Sequence, residues 1–354
     1  MIEAAIRKRF EGGEESGAFH LEVEFRASAG VTVLFGPSGS GKTLTLDSIA
    51  GFVRPDAGRI VLDGEVLFDS DAGVNLPPQR RRCGYVFQNY ALFPHMTLRE
   101  NLEFAASRLP KPQRRERVAA MLETFRLAEL AGRRPHEVSG GQQQRCSIAR
   151  TLLAGPRLLL LDEPARGLDA PLKEELYAVL RQVREEFRTP ILLVTHDLEE
   201  CFALGEEMLV YHAGRIVQRG RPDQVLEEPA TPEVARLLGR FQVFEAEAVG
   251  PGKLRVAGHE VPYDGAALSA GERVTVYVRG DRLRAVPAGE ADADGLRARL
   301  ERVVEGPRMV RLEFRGGLRV EMPAGEFRRH GDNREWVIQF PPGSLGIFGR
   351  GQGR

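Results

Sequence analysis

The stretch Val31-Thr-Val-Leu-Phe-Gly-Pro-Ser-Gly-Ser-Gly-Lys-Thr43 joins a short apolar run to a glycine-rich loop. The apolar run predicts a buried strand, and the glycines allow a tight turn whose N–H groups converge on one centre. A helix that begins near Gly41 would add its positive end, so the loop suits a polyphosphate. We expect Lys42 to reach the β- and γ-phosphates and the Thr43 hydroxyl to bind Mg²⁺. The expected phosphate contacts are Gly36, Pro37, Ser38, Gly39, Ser40, Gly41, Lys42 and Thr43.

The chain length and the charge balance limit the class of protein. A chain of 354 residues allows about two or three domains, each with its own core. Its 50 basic and 50 acidic residues balance, so the overall charge does not favour a nucleic-acid or anionic-lipid partner. No nucleic acid is therefore expected among the partners.

Three features predict a cytosolic protein. No apolar run is long enough to span a membrane. The N-terminus is charged early and lacks the apolar core of a signal peptide. The cysteines Cys83, Cys146 and Cys201 have neither metal spacing nor a pairing pattern, and they predict ordinary buried thiols in a reducing compartment.

Strands and helices alternate through the first two thirds of the chain. Residues 5–10 and 19–25 predict antiparallel strands separated by a Gly/Glu-rich turn at 11–17. The later strands are apolar throughout, which argues for a largely parallel sheet covered on both faces. Strands are predicted at 31–35, 58–64, 83–87, 158–161 and 191–195, helical segments at 41–51, 97–153 and 171–187, and a hairpin turn at Ala213-Gly214.

The sequence pattern changes after about Arg240, where helical periodicity stops and Gly and Pro separate short β-rich segments. A weak duplication is visible, since each half has a strand, a Gly-Pro turn and further strands. This spacing predicts small closed β-barrels, with the acidic, Ala-rich stretch 288–295 as the link between the copies. The predicted strands are 242–249, 253–257, 273–279, 296–304, 309–314, 318–322 and 335–340.

Polar residues follow the predicted parallel strands at the ends where open α/β sheets bind ligands. Asp162 suits a carboxylate that holds Mg²⁺ beside the phosphate loop. Glu163 follows and is a candidate general base for an attacking water. His196 is either a contact to the γ-phosphate that orients Glu163 or the water, or a structural histidine. Gln88 is expected to sense both the metal and the water, and it is a candidate Mg²⁺ ligand.

A second anion site is predicted at Ser139-Gly140-Gly141-Gln142, which precedes a helical run. Ser139 is placed as an N-cap, and the glycines expose amides at the helix start. One nucleotide cannot plainly use both anion sites within one chain. We therefore expect a head-to-tail homodimer in which each nucleotide lies between the Lys42 loop of one copy and the Ser139 loop of the other.

Together these residues resemble the ATP-binding cassette (ABC) ATPases over residues 1–235. The Walker A loop is Gly36–Thr43, and the signature is Val138–Gln142, with Val in place of the usual Leu. The D-loop Ala165–Asp169 departs from the pattern, because Arg166 and Gly167 occupy positions that are more often small or polar. The other matching motifs are the Q-loop Gln88, the Walker B end Leu158–Glu163 and the switch histidine His196.

The resemblance implies an α/β fold. It would be a P-loop NTPase with a RecA-like core, antiparallel β and helical subdomains, and a C-terminal all-β, OB-like barrel domain. The implied domains are the ATPase at 1–235, with its helical subdomain at about 89–153, and a duplicated regulatory domain at 240–354. It also implies ATP and Mg²⁺ as cofactors and an aromatic residue stacked on adenine. Phe10 is the candidate by spacing, with Phe19 as the competitor; either is otherwise a core residue.

Within the family, residues 82–97 resemble the segment of importer subunits on which a membrane permease docks. Tyr90, Phe93 and Pro94 are the candidate docking residues, or an internal packing patch. The C-terminal part resembles the TOBE-type barrels of molybdate, sulfate, polyamine and iron importers. Some of these bind a regulatory oxyanion, so the arginines of 297–334 form either such a site or solvated faces.

The expected function is ATP hydrolysis that drives uptake of an oxyanion, molybdate/tungstate or sulfate/thiosulfate. The subunit would lie on the inner face of the cell membrane under permease subunits that receive solute from a periplasmic or extracellular binding protein. Importers of polyamines, ferric iron or sugars are the near alternatives. A soluble, non-transport ABC ATPase is the alternative from another class.

Overall fold

The computed structural model describes residues 1–11, 17–187, 189–256, 258–263, 265, 267–289, 295–330 and 333–348. The chain divides into two compact units, Met1–Val225 and Leu226–Arg354. Most of the predicted turn at 11–17 and of the predicted link at 288–295 lies outside the described residues. The predicted domain limits at 235 and 240 stay predictions.

The first unit contains two sheets and the larger helices. Its strands are β1 (Ile2–Phe10), β2 (Phe19–Ala27), β3 (Val31–Phe35), β4 (Ala57–Leu62), β5 (Glu65–Asp69), β6 (Val74–Asn75), β7 (Cys83–Val86), β8 (Leu158–Asp162), β9 (Ile191–Thr195), β10 (Glu207–His212) and β11 (Arg215–Gly220). Its helices are α1 (Lys42–Ala50), α2 (Pro78–Arg81), α3 (Leu98–Ala105), α4 (Lys111–Thr124), α5 (Gly140–Leu153), α6 (Ala170–Phe187) and α7 (Leu198–Leu204), with 3₁₀ turns at Ala128–Leu130 and Pro135–Glu137. Helix α8 (Pro222–Glu227) follows at the boundary between the units.

The main sheet has six strands in the order β11-β10-β3-β9-β8-β7. All neighbours pair in parallel except β11, which forms a hairpin with β10. Every residue of β3 and β9 is buried, as are the four leucines of β8. The prediction of a largely parallel, fully covered sheet is confirmed. Because parallel strands end at the same edge, the loops after β3, β7, β8 and β9 share one side of the sheet.

The second sheet is antiparallel, with the order β2-β1-β4-β5-β6. Its apolar face packs with α1 and with strands of the main sheet in one core. The predicted pairing of the first two strands is confirmed, and its register places Phe10 opposite Phe19. This register brings the two candidate adenine-stacking residues to one end of the hairpin.

The helical segment predicted at 97–153 consists of α3, α4 and α5, and its two predicted interruptions are observed. Pro110 is the N-cap of α4 and Pro112 lies in its first turn. Proline is tolerated there because the first helical N–H groups lack a partner within the helix. The second interruption ends at Ser139, which caps α5.

The second unit is dominated by two five-stranded sheets, ordered β14-β13-β12-β15-β21 and β16-β20-β17-β18-β19. Each sheet has a ten-residue strand, β12 or β17, that pairs with the next strand and with a later one. The expected all-β region is confirmed and includes a curled, half-barrel sheet, and the closure of its sheets into barrels stays a prediction. Three strands of this unit were not predicted: β14, β16 and β21. The elements are α9 (Pro232–Leu238), β12 (Phe241–Gly250), β13 (Lys253–Val256), β14 (His259–Pro262), β15 (Arg273–Arg279), a 3₁₀ turn (Gly280–Arg282), β16 (Arg284–Pro287), β17 (Leu296–Glu305), β18 (Met309–Phe314), β19 (Arg319–Pro323), α10 (Ala324–His330), β20 (Glu335–Gln339) and β21 (Leu345–Ile347).

The three cysteines are the unpaired thiols that the sequence predicts. Cys146 and Cys201 are buried, Cys83 is half-buried, and all three are free thiols. Burial raises the pKa of Cys83 and of Cys146 to about 12. Across the described ranges, no helix is long and apolar enough to cross a membrane.

Candidate nucleotide-binding and catalytic site

The phosphate loop has the predicted strand–loop–helix context. Strand β3 ends at Phe35, and α1 begins at Lys42 with Gly41 as its N-cap. Gly41 has φ 101, a left-handed conformation that favours glycine. A Cβ at Gly36 would lie 2.4 Å from the carbonyl oxygen of Tyr211, so the close approach of β10 requires glycine there. The loop is thus fixed by its own backbone and by the next strand of the sheet.

Lys42 points into the loop and is only 5% exposed. Its Nζ donates hydrogen bonds to the carbonyl oxygens of Gly36, at 2.8 Å, and of Pro37, at 2.7 Å. Burial lowers the pKa of Lys42, while the nearby carboxylates of Glu163 and Asp162 act in the opposite direction. The ammonium is therefore held at the centre of the loop, where phosphate oxygens would replace carbonyl oxygens as acceptors.

Thr43 and Asp162 meet across the sheet edge. The hydroxyl of Thr43 donates a hydrogen bond of 3.0 Å to Oδ1 of Asp162. Burial raises the pKa of Asp162, and this hydrogen bond opposes the shift. Hydroxyl and carboxylate oxygens are ligands that suit Mg²⁺, so these residues fit the predicted metal site. Among the described residues, no group of three or more His, Cys, Asp or Glu side chains could hold a metal ion.

Glu163 and His196 come together at the ends of β8 and β9. His196 Nδ1 lies 3.2 Å from Oε1 of Glu163, and the Glu163 side chain is 14% exposed. Glu163 has φ 46, which is uncommon for a residue other than glycine. Its second oxygen, Oε2, accepts a hydrogen bond of 2.9 Å from Arg166 Nη1. The candidate base is therefore fixed on both sides.

One cavity of about 550 Å³ unites most of the predicted site. Five residues of the phosphate loop, Gln88 and the carboxylates of Asp162 and Glu163 line it, whereas the predicted site residues Gly36, Pro37, Ser40 and His196 do not. Arg166 lines it too, although the sequence marked this residue only as a departure from the family pattern. The lining residues are Phe19, Ser38, Gly39, Gly41, Lys42, Thr43, Leu44, Gln88, Asp162, Glu163 and Arg166.

The two candidate aromatic residues differ in their relation to this cavity. Phe19 lines it, and its ring lies 3.3 Å from where a Cβ of Gly41 would be. Phe10 is 44% exposed and does not line the cavity, and the ammonium of Lys8 lies 5.6 Å from its ring centroid. This geometry favours Phe19 as the neighbour of the phosphate loop, and the stacking of adenine on Phe10 stays a prediction.

The signature residues form the predicted helix start but do not line the cavity. Ser139 is the N-cap of α5: its Oγ accepts from the N–H of Gln142 at 3.3 Å, and its own N–H donates to Gln142 Oε1 at 2.9 Å. The Ser139 hydroxyl proton is still available to an anion. Gly140 and Gly141 follow in the first turn of α5. Within one chain, this predicted anion site is therefore separate from the phosphate cavity.

The predicted docking residues differ in their contacts and burial. The carbonyl oxygen of Tyr90 accepts a 2.7 Å hydrogen bond from Ser147 of α5, so Tyr90 is tied to the signature helix. Phe93 is half-buried, and its backbone N–H donates to the buried Asn101 side chain at 2.9 Å. Pro94 beside it is exposed.

Phe104 was not predicted as a site residue, although it is 55% exposed. Its ring packs edge-on against Phe93, with centroids 4.8 Å apart. Both rings line a groove of about 520 Å³. The sequence could have indicated Phe104, because it is an aromatic residue on the polar face of the amphipathic helix α3, where aromatic residues are unusual.

A family model described as ABC transporter matches residues 21–166. The molybdenum import ATP-binding protein ModC of Rhodospirillum rubrum is 41% identical over 254 residues, which are 72% of this chain and 66% of that protein. The spermidine/putrescine import ATP-binding protein PotA of Vibrio cholerae is 37% identical, over 83% of this chain and 78% of that protein. The sulfate/thiosulfate import ATP-binding protein CysA of Ralstonia nicotianae is 36% identical, over 98% of this chain and 95% of that protein.

The structural neighbours agree with this similarity. A dimeric, post-hydrolysis structure of the ATP-binding cassette MJ0796, bound to ADP and Pi, superposes with a TM-score of 0.54 at 29% identity. The superposition covers 63% of this chain and 99% of the MJ0796 chain. The predicted P-loop fold is thereby confirmed. By its site, its relatives and its fold, the chain belongs to the ABC transporter family of ATPases.

Proposed function

We propose that this chain is the ATP-hydrolysing subunit of an importer and that it drives uptake of an oxyanion, molybdate/tungstate or sulfate/thiosulfate. The observation that carries the proposal is the single cavity in which Lys42, Asp162 and Glu163 meet. A cation for phosphates, an oxygen pair for a metal and a carboxylate base are the parts that phosphoryl transfer to water requires.

Each of these residues has a role in hydrolysis. The loop amides and Lys42 hold the β- and γ-phosphates. Thr43 and Asp162 would hold Mg²⁺, and the ion would supply charge that stabilises the phosphoryl group. Glu163 accepts the proton of the attacking water, and His196 holds the Glu163 carboxylate through Oε1.

The working form is a homodimer. Ser139–Gln142 and the phosphate cavity are separate within one chain, so a second copy has to bring its α5 start to the nucleotide. The dimeric cassette that this chain resembles supports this arrangement. ATP closes the dimer and hydrolysis reopens it, which supplies two conformations for a membrane partner to follow.

The partners are permease subunits, and through them an external solute-binding protein. The Phe93–Phe104 groove suits an apolar helix end of a permease. The subunit thus lies on the inner face of the cell membrane. Residues 1–235 act as the ATPase domain, with about 89–153 as its helical subdomain, and 240–354 as the regulatory domain.

The transported solute is the finer part of the proposal. Relatives named for molybdenum and for sulfate/thiosulfate import support an oxyanion. A relative named for spermidine/putrescine import supports the polyamine alternative. Ferric-iron and sugar importers and a soluble, non-transport ABC ATPase are the remaining alternatives. Uptake of labelled molybdate and sulfate by cells that carry or lack this chain separates them.

A regulatory oxyanion in the second unit is a further part of the proposal. Four arginines line a groove of about 790 Å³ there, with one carboxylate, Glu301. Calorimetry of the full chain with molybdate, tungstate and sulfate tests it, with Arg184→Ala in the first unit as a control. Binding that Arg302→Ala abolishes supports the proposal, and absence of heat with all three anions contradicts it. The arginines are Arg299, Arg302, Arg315 and Arg334.

ATP hydrolysis by the purified chain tests the main proposal. We expect Mg²⁺-dependent release of phosphate that falls by about 10²- to 10⁴-fold in Glu163→Gln, because a neutral amide cannot accept the proton. Glu199→Gln, an exposed carboxylate change on α7, is the control. Near-normal turnover in Glu163→Gln would remove Glu163 from the role of base.

A further inference from the structure

Arg166 lies in the loop that follows β8, three residues after Glu163. The backbone N–H of Arg166 donates to the carbonyl oxygen of Glu163 at 3.1 Å, which closes a tight turn. Glu163 enters this turn with φ 46, and its own N–H donates to the Val194 carbonyl at 3.0 Å. The turn directs the side chain of Arg166 back to the carboxylate that precedes it.

The carboxylate of Glu163 is held at both oxygens. Arg166 Nη1 donates to Oε2 at 2.9 Å, and His196 Nδ1 faces Oε1 at 3.2 Å. A carboxylate with one partner can rotate about its last bond, whereas one held at both oxygens keeps its plane. Each oxygen has a second lone pair, which is still available to a water proton.

The same guanidinium reaches the Q-loop. The amide of Gln88 is oriented with its oxygen towards Arg166, because a guanidinium only donates. In this orientation the amide oxygen accepts from Arg166 Nη1 at 2.9 Å and from Nε at 3.3 Å. Nη1 carries two protons, so it serves Glu163 and Gln88 at once. Arg166 thus links the residues that follow β7 and β8.

The link has little value for the stability of the fold. The Arg166 side chain is 56% exposed, and an ion pair with one exposed member contributes little to the free energy of unfolding. The link instead lies inside the phosphate cavity, among Lys42, Thr43 and Asp162. Its position indicates a function in the geometry of the site.

We propose that Arg166 is a positioning residue for hydrolysis, which holds the Glu163 carboxylate and the Gln88 amide in one arrangement that faces the attacking water. This inference rests on the proposed function, in which Glu163 is the general base. Small misplacements of a reacting group slow catalysis strongly, so one lost contact has a measurable effect. Arg166 acts through its two neighbours and does not itself touch the reacting atoms.

The test is steady-state ATP hydrolysis by the full chain and its variants. Arg166→Ala is expected to lower kcat by about tenfold while KM for ATP changes by less than about twofold. Arg166→Lys, which keeps the charge but offers one nitrogen instead of a fork, is expected to recover part of the loss. Arg184→Ala removes a surface arginine paired with Glu206, and it is the matched control.

The same Arg166 substitution made in the Glu163→Gln variant shows whether Arg166 acts through Glu163. In Glu163→Gln, the further change Arg166→Ala is expected to alter the residual rate by less than about twofold, because effects on one chain of contacts are not additive. An equal loss in both backgrounds would overturn the inference. So would wild-type kcat in Arg166→Ala alongside a slow Glu163→Gln, and the proposed function would then stand. Near-normal turnover in Glu163→Gln would instead defeat the proposed function itself.

Discussion

The hydroxyl of Thr43 donates a 3.0 Å hydrogen bond to Oδ1 of Asp162, although 119 positions separate the two residues. Thr43 is in the first turn of α1, and Asp162 ends β8. Strand β9 lies between β3 and β8 in the sheet, so the contact crosses one strand. The parallel sheet thus brings the hydroxyl oxygen of Thr43 and a carboxylate oxygen of Asp162, which belong to separate motifs, into contact.

This pair predicts the metal dependence of hydrolysis. Asp162→Asn keeps an oxygen but removes its charge, and we expect the Mg²⁺ concentration for half-maximal turnover to rise about tenfold or more. Asp47→Asn is the matched control, since Asp47 lies nearby and bonds Tyr85, outside the cavity lining. A Mg²⁺ titration of phosphate release measures the effect. Unchanged Mg²⁺ dependence in Asp162→Asn would argue against Asp162 as a ligand.

Loss of the buried ammonium predicts weaker nucleotide binding. Lys42→Ala removes charge-assisted hydrogen bonds worth about 1.5–3 kcal/mol each. We therefore expect the Kd for ATP to rise by about 10- to 100-fold. Binding of a fluorescent ATP analogue measures this, and Lys111→Ala, on the exposed start of α4, is the control. Equal affinity in Lys42→Ala and wild type would remove Lys42 from the phosphate site.

Because the two predicted anion sites are separate, a change at Ser139 should impair ATP hydrolysis and spare ATP binding. Ser139→Arg places a bulky cation at the start of α5, away from the phosphate cavity of the same chain. We expect ATP binding to a single chain to stay within about twofold of wild type while hydrolysis falls by at least about 10²-fold. Equilibrium binding and phosphate release are measured together, with Ser107→Arg as the exposed-serine control. Normal hydrolysis by Ser139→Arg would contradict the composite site.

Glu200 predicts a pH dependence of stability. It is 2% exposed on α7, among Lys173, Asp197 and Tyr177, and burial raises its pKa from 4.5 to about 7. The raised pKa favours the neutral form in the folded chain. Its contribution to the free energy of unfolding is therefore complete below about pH 4.5 and is lost as the pH rises through about 7.

Glu200→Gln should remove this dependence. Between pH 5 and pH 8 we expect the wild type to lose about 2–3 kcal/mol relative to Glu200→Gln. Urea unfolding at both pH values measures the difference, and Glu199→Gln, at the exposed neighbouring position, should keep the wild-type dependence. Parallel pH profiles for wild type and Glu200→Gln would show that Glu200 does not titrate in this range.

Much of the fold follows from local patterns. The run of leucines at 158–161 predicts a buried strand, the glycines at 36–41 predict a loop that precedes a helix, and both are observed. Strands β14, β16 and β21 were missed because each is three or four residues long and carries little pattern of its own. Their pairing with β13, β20 and β15 determines them.

The site was predictable as a set of motifs but not as a set of contacts. The sequence placed Glu163 and His196 at strand ends, which a parallel sheet brings together. The contact between Arg166 and Glu163 depends on a left-handed φ at Glu163, and no local pattern indicates that conformation. The place of Phe19 beside the loop likewise depends on how β2 packs over Gly41, which is a tertiary contact.

We expect two copies of this chain to enclose ATP between the Lys42 loop of one and the Ser139 loop of the other. Sedimentation velocity of Glu163→Gln with saturating ATP and Mg²⁺ tests it most directly, because bound ATP then persists. We expect Glu163→Gln to be a dimer with ATP and a monomer without nucleotide, and the double variant Glu163→Gln with Ser139→Arg to be a monomer with ATP. A Glu163→Gln chain that binds ATP and still sediments as a monomer would contradict it.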